Sequence, residues 1–194
     1  MRRTDVTGIL LAGGESRRFG APKALARLDG ATFLERIAAA LQPHAGTLLV
    51  SVRRDGAGVL EAALPSGARC VEDLRPGAGP LAGVEAALQG VTTPVALVVA
   101  CDYPFLRAED AGRLLESLGP HDAAAPEVEG RIQPLCAAYD VRIAPRLTAW
   151  LDSGRREVLG FLRLLDLATV AATDPGSVRA FTNVNSPADL EIPS

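Results

Sequence analysis

Two glycines and a cluster of cations follow the first apolar segment of the chain. The run is Leu11-Ala12-Gly13-Gly14-Glu15-Ser16-Arg17-Arg18-Phe19-Gly20, with Lys23 just beyond it. Paired glycines after a strand let backbone N–H groups approach an anion closely. Arg17, Arg18 and Lys23 together can neutralise a polyphosphate. The glycine spacing is not that of the dinucleotide fingerprint, and no Gly-Lys-Ser/Thr opens a Walker loop. Gly13-Gly14 alone fits a plain turn equally well; the added cations tip the reading toward phosphate.

Asp102 is the second chemical candidate. It follows the most apolar run of the chain, VALVVA at 95–100. A carboxylate at the end of a buried strand must be paired or hold a metal. Mg²⁺ takes one or two carboxylates together with phosphate oxygens. The competing reading is an aspartate that caps the next helix, which Pro104 accommodates. Asp73, after Glu72, precedes the loop Pro76-Gly77-Ala78-Gly79-Pro80. It can accept hydrogen bonds from a base, bind a metal, or serve only as a turn residue. Asn183 and Asn185 alternate along an extended segment, which turns both amides to one face. They suit a phosphate, a sugar or a pterin, or turn and cap chemistry. Arg155-Arg156 reads as a phosphate site or as the solvated start of a helix.

These residues need a scaffold. Residues 6–11 form a nearly continuous apolar strand ending in the glycines. Residues 32–41 (TFLERIAAAL) carry helical spacing with Thr32 as N-cap. Strands follow at 47–52 and 69–71, with a helix predicted at 59–64 between them. Residues 81–88 read as helix and 95–100 as the central strand. Alternating helices and continuous apolar strands predict a parallel sheet covered on both faces. Beyond 105 the pattern loosens. Residues 108–118 are helical, 123–139 form an extended pair around Glu129-Gly130, and 143–151 and 158–165 are short helices. A last helical turn starts at Pro187, with Ser186 as its cap.

Composition bounds the alternatives. At 194 residues and 48% hydrophobic the chain can bury a real core. A net charge of -3 gives no footprint for nucleic acid. No apolar run is long enough to span a membrane. Asp5 breaks any signal peptide, so a cytoplasmic protein is expected. Cys70, Cys101 and Cys136 are scattered, which predicts reduced thiols rather than a disulfide frame or zinc site. Cys101 and Cys136 read as inert buried thiols. With only His44 and His121, a histidine-based triad is not expected.

The pattern Leu11-Ala12-Gly13-Gly14-x-Ser16-x-Arg18-x-Gly20-x-x-Lys23 resembles the signature of the molybdenum cofactor guanylyltransferases. These belong to a nucleotidyltransferase group that also includes sugar-nucleotide pyrophosphorylases. The resemblance continues in order through Glu72-Asp73, Gly79-Pro80-Leu81-Ala82-Gly83, Cys101-Asp102-x-Pro104, Gln133-Pro134-Leu135 and Asn183-Val184-Asn185-Ser186-Pro187. It spans nearly the whole chain. The first block marks the nucleotidyltransferase class. The Gly-Pro-Leu-Ala-Gly and Asn-Val-Asn-Ser-Pro blocks are similar to the guanylyl branch, whereas the cytidylyltransferases for the same cofactor look like Leu-Ala-Ala-Gly at the first block. Ser51 stands where some relatives carry Asn, and Gln133 where a His is common.

The resemblance implies a three-layer α/β/α sandwich, with a Rossmann-like, mostly parallel sheet of the glycosyltransferase-A-like nucleotidyltransferase type. It implies one domain over 1–194, residues 1–105 binding nucleotide and 106–194 binding acceptor. The activity would be GMP transfer from GTP to the molybdopterin phosphate, with Mg²⁺ and release of pyrophosphate. Leu11, Ala12, Gly13, Gly14 and Asp73 would contact the nucleotide. Arg18 and Lys23 would hold the triphosphate and the leaving pyrophosphate, and Asp102 the Mg²⁺. Asn183 and Asn185, with Arg155 and Arg156, would face the acceptor. Molybdoenzymes or their chaperones would receive the product. The alternatives are another nucleotidyltransferase, of cytidylyl or sugar-phosphate type, and a non-catalytic nucleotide-binding or cofactor-chaperone module.

Overall fold

The computed structural model of the protein describes residues 1–14, 22–54 and 57–191. Among the described residues, ten strands and seven α-helices follow in chain order. The strands are β1 (Val6–Leu11), β2 (Arg27–Leu28), β3 (Ala31–Thr32), β4 (Thr47–Val52), β5 (Ala68–Glu72), β6 (Val95–Ala100), β7 (Ala123–Val128), β8 (Arg131–Ile132), β9 (Cys136–Asp140) and β10 (Leu167–Ala171). The helices are α1 (Phe33–Leu41), α2 (Ala57–Glu61), α3 (Pro80–Leu88), α4 (Ala108–Leu118), α5 (Ala144–Asp152), α6 (Val158–Leu162) and α7 (Pro175–Ala180).

The main sheet runs β10-β7-β9-β6-β1-β4-β5, with β8 paired to β7. Every residue of β1 and β6 is buried. That explains their nearly continuous apolar sequence, because a strand covered on both faces has no solvent side to alternate with. Helices α1 and α4 pack on each other, α1 against β1 and α4 against β7, β9 and β10. Helices α3 and α5 form a second pair, with α3 lying on β1, β4 and β5. Helix α1 starts where its sequence says it should. The N–H of Glu35 donates to Thr32 Oγ1 at 3.1 Å, and the N–H of Thr32 donates to Glu35 Oε2 at 2.7 Å, a reciprocal capping box.

The sheet is mixed, not all parallel. Strand β1 is parallel to β4 and β6, and β4 to β5, but β9 is antiparallel to both β6 and β7. The connection between β7 and β9 is too short for a parallel crossover. It turns at Glu129 and Gly130, both at positive φ, into β8. Strand β10 and helix α7 are absent from the sequence expectation. LATVA is short and directly follows a helical stretch, and PGSVRA carries too few apolar positions to show a helical period. The helix expected at 59–64 lies at Ala57–Glu61, and that expected at 158–165 ends at Leu162.

Chain order explains where a ligand can sit. From β1 the chain moves outward through β4 and β5, then returns to place β6 on the other side of β1. Loops leaving the carboxyl ends of β1 and β6 therefore diverge and leave a crevice at the switch point. The register aligns those ends, with Leu11 opposite both Ser51 and Ala100.

Candidate active site

A cavity of about 460 Å³ opens at that crevice. Leu11, Gly13 and Gly14 border it from β1, Ser51 and Arg53 from β4, and Asp102 from β6. Lys23, Asp73 and the residues around Gly79 complete it. Five of the sequence-predicted nucleotide contacts thus share one space with the predicted metal ligand. Ala12 does not join them. It is buried, and its N–H donates to the carbonyl of Ser51 at 2.8 Å, so that donor is already used. Arg18 lies outside the described residues.

Asp102 sits two residues past the end of β6. The N–H of Cys101 donates to the carbonyl of Leu11 at 3.0 Å, which ties the turn to β1. The two carboxylate oxygens of Asp102 differ. Oδ2 accepts from the Asn183 amide at 3.1 Å. Oδ1 is buried and accepts no hydrogen bond among the described residues. Burial pushes the carboxyl above its ordinary range, while the charge of Lys23 and the Asn183 amide oppose that rise. A buried carboxylate oxygen without a donor is costly, and a divalent cation arriving with phosphate groups is one way to satisfy it. The same burial pushes the Cys101 thiol up to about 12. It stays protonated at neutral pH and cannot act as a nucleophile.

The Asn-Val-Asn segment does not stand apart from these charges. The N–H of Val184 donates to the carbonyl of Asp102 at 2.8 Å, laying the segment alongside the β6 turn. Asn183 then reaches the Asp102 carboxylate, and Asn185 Oδ1 accepts from Lys23 Nζ at 3.3 Å. The segment is held on its far side by Asp189, whose carboxylate accepts from the N–H groups of Asn185 and Ser186. Two residues expected at an acceptor site therefore also hold the metal-ligand candidate and the phosphate-lysine candidate.

A second cavity, of about 800 Å³, is lined by Asn183, whose amide donates to Asp102 on the wall of the first. It is walled by β7 and β8 residues, Gln133, α6 and Phe181. Gln133 is fixed there, because the Tyr103 hydroxyl donates to its Oε1 at 3.1 Å. Arg155 and Arg156 border neither cavity. Arg155 lies over the Trp150 ring at 4.7 Å, and Arg156 donates to the carbonyls of Leu151 and Arg155.

Two features escaped the sequence reading. Arg53 brings a cation to the cavity, and Gly13 is packed so closely on it that a Cβ would meet Arg53 Cγ at 3.2 Å. Its place directly after a strand that ends in this crevice was the available signal. Gly83 admits α3 against β4, since a Cβ there would lie 2.7 Å from Ser51 Oγ. A side chain at 83 would have to displace the Ser51 hydroxyl.

The arrangement suits transfer of a phosphoryl-linked group. It offers backbone N–H groups, two described cations and one under-satisfied carboxylate at a strand-end crevice, beside a second cavity for a partner molecule. Among the described residues no cluster of three or more His, Cys, Asp or Glu could hold a metal alone. No helix of the described residues is long and apolar enough to cross a membrane.

Comparison with known proteins places this geometry in a family. The MobA-like NTP transferase domain matches residues 8–168. The probable molybdenum cofactor guanylyltransferase of Pelotomaculum thermopropionicum is 36% identical over 190 residues, covering 96% of this chain and 90% of the relative. The molybdenum cofactor guanylyltransferase of Sinorhizobium fredii is 37% identical, covering 94% of this chain and 88% of the relative. Among solved structures, molybdopterin-guanine dinucleotide biosynthesis protein A of Archaeoglobus fulgidus superposes with a TM-score of 0.78 at 26% identity, over 95% of this chain and 94% of that one. The 4-diphosphocytidyl-2C-methyl-D-erythritol synthase of Anaerococcus prevotii, at 12% identity and TM-score 0.72, shares the fold, covering 96% of this chain and 93% of that one. The sheet order, the strand-end crevice and these matches agree: this chain belongs to the MobA-like NTP transferase family.

Proposed function

We infer that the protein transfers GMP from GTP to the phosphate of molybdopterin, forming the guanine dinucleotide cofactor and releasing pyrophosphate. The observation that carries the reading is the meeting of Lys23, Asp102 and the Gly13-Gly14 turn in one cavity, in a chain whose full-length relatives carry that activity in their names. The acceptor oxygen belongs to a phosphate already ionised at neutral pH, so the reaction needs no strong base. That suits a cavity bordered by no histidine among the described residues. Rate enhancement comes from alignment and charge neutralisation.

In this reading the N-terminal part, 1–105, holds the nucleotide and the C-terminal part, 106–194, the acceptor. Lys23 and Arg53 face the triphosphate, and Arg18 belongs with them by its place in the sequence motif. Gly13 and Gly14 bring backbone close to the phosphates. Asp73 and the 76–80 loop meet the base. Asp102 would hold Mg²⁺ through Oδ1, and the ion would neutralise charge at the α-phosphoryl region. The acceptor occupies the second cavity and meets the nucleotide at Asn183.

Steady-state assays with each of the four NTPs, Mg²⁺ and molybdopterin, read by pyrophosphate release, test this. Guanine presents an N1–H and an exocyclic amine that cytosine does not match, and mismatched buried polar edges discriminate strongly. GTP is expected to exceed CTP by at least about a hundredfold in kcat/KM. Equal or better use of CTP overturns the guanylyl reading while leaving nucleotidyl transfer in place. Nucleotide binding without pyrophosphate release overturns both.

A further inference from the structure

The loop at 73–79 is permissive by composition, yet it borders the nucleotide cavity at Asp73, Gly77 and Gly79. Gly77 and Gly79 sit at φ 75 and 78, a region that costs glycine nothing and leaves it free to leave again. Something outside the loop must hold its course. Arg75 lies in the middle. Its N–H donates to Asp73 Oδ1 at 2.8 Å, and its carbonyl accepts from the N–H of Ala78 at 3.0 Å. Its guanidinium leaves the loop and grips Glu85 on α3 through two bonds, Nε to Oε2 at 2.6 Å and Nη2 to Oε1 at 3.0 Å. A third contact, 2.7 Å to Asp152 of α5, ends on a largely exposed carboxylate.

Glu85 is the unusual partner. It is buried in a helix whose other residues from Leu81 to Leu88 are Leu, Ala, Gly and Val. A buried ion pair adds little net stability over apolar residues of similar size, since desolvation offsets the attraction. Its forked geometry does fix direction. The pair joins the loop to the same helix whose first turn borders the cavity.

We propose that Arg75, held by Glu85, is a positioning residue that sets the shape of the 73–79 loop and so the affinity and selectivity for the nucleotide. It does not border the cavity and touches no substrate. The proposal rests on the reading that this cavity holds the nucleotide.

The test compares Arg75→Met, Glu85→Gln, the double variant R75M/E85M and Asp152→Ala by steady-state kinetics and melting temperature. Loss of loop preorganisation in either of the first two is expected to raise the KM of the preferred NTP about tenfold and narrow the GTP-to-CTP ratio. The kcat at saturation should stay within about threefold, because the reacting phosphates are held elsewhere. In the double variant no charge is left unpaired in the core, so its melting temperature should return to the wild-type value or above, with KM still raised. Asp152→Ala should leave KM unchanged, because exposed ion pairs contribute little. A wild-type KM in either single variant, or joint recovery of KM and melting temperature in the double variant, overturns the positioning role. A wild-type enzyme that uses no NTP at all overturns the nucleotide reading instead.

Discussion

The Asn183 amide donates to Oδ2 of Asp102 at 3.1 Å, between residues 81 positions apart in the chain. One residue later the main chain of Val184 bonds the carbonyl of Asp102, and the next residue, Asn185, accepts from Lys23. The segment at 183–185 thus fastens onto Asp102 and Lys23, two of the charged groups that border the cavity. Holding Oδ2 on an amide leaves Oδ1 as the oxygen without a donor among the described residues. It also fixes the carboxylate plane, which a freely rotating aspartate would not offer.

Asn183→Ala removes that constraint. The carboxylate loses its donor, and its proton affinity rises further, because the amide is one of the groups lowering it. Turnover is expected to fall at least about tenfold through lost preorganisation, with a higher Mg²⁺ concentration needed for half-maximal rate. A Mg²⁺ titration of both proteins reads this directly. If only the acceptor KM changes and the Mg²⁺ dependence is untouched, the amide serves the acceptor and not the carboxylate.

Lys23→Ala should reduce kcat/KM for GTP about a hundredfold, the scale for a lost electrostatic donor. The lysine is partly exposed, so the melting temperature should change little. Activity within a few-fold of wild type would remove Lys23 from the phosphate site.

The stability of the protein should carry a signature of Asp102. Its carboxyl binds a proton more tightly folded than unfolded, since burial raises it above the ordinary 3.8. The native state therefore holds the extra proton from pH 3.8 upward to the raised value, and stability falls as pH rises through that window. Asp102→Asn cannot lose a proton. In metal-free buffer its melting temperature should match wild type in acid and exceed it at neutral pH, while turnover is largely abolished. A gap that is constant with pH would mean that the carboxyl is not strained by burial. Turnover near the wild-type rate at saturating Mg²⁺ would return Asp102 to a purely structural role.

A control separates fold from chemistry. Thr32→Ala breaks the capping box of α1 away from the cavity. It should cost about 1 kcal/mol of stability and leave KM and kcat unchanged. Chemical denaturation and steady-state assays on one preparation measure both.

The sequence by itself determined the strand that leads into the glycines, the strand that leads into Asp102, the α1 cap and the family resemblance. Those features are local. A buried strand reads as an unbroken apolar run, a cap as a residue type at a fixed offset, and a motif as a spacing. Tertiary structure alone decided which of these elements meet. The turn at Glu129-Gly130 was legible as the middle of an extended pair, but that β9 inserts antiparallel between β6 and β7 and so makes the sheet mixed was decided by the fold. Asn183 and Asn185 carried their amides openly, but that they reach Asp102 and Lys23 depends on the segment running beside the β6 turn. Arg155 and Arg156 look like an anion site as a pair, yet in the fold one stacks on Trp150 and the other bonds main-chain carbonyls. Arg75 and Glu85 had no motif to mark them. Their pairing appears only when α3 folds back on the loop before it, because an ion pair is made by distance in space and not by spacing in the chain.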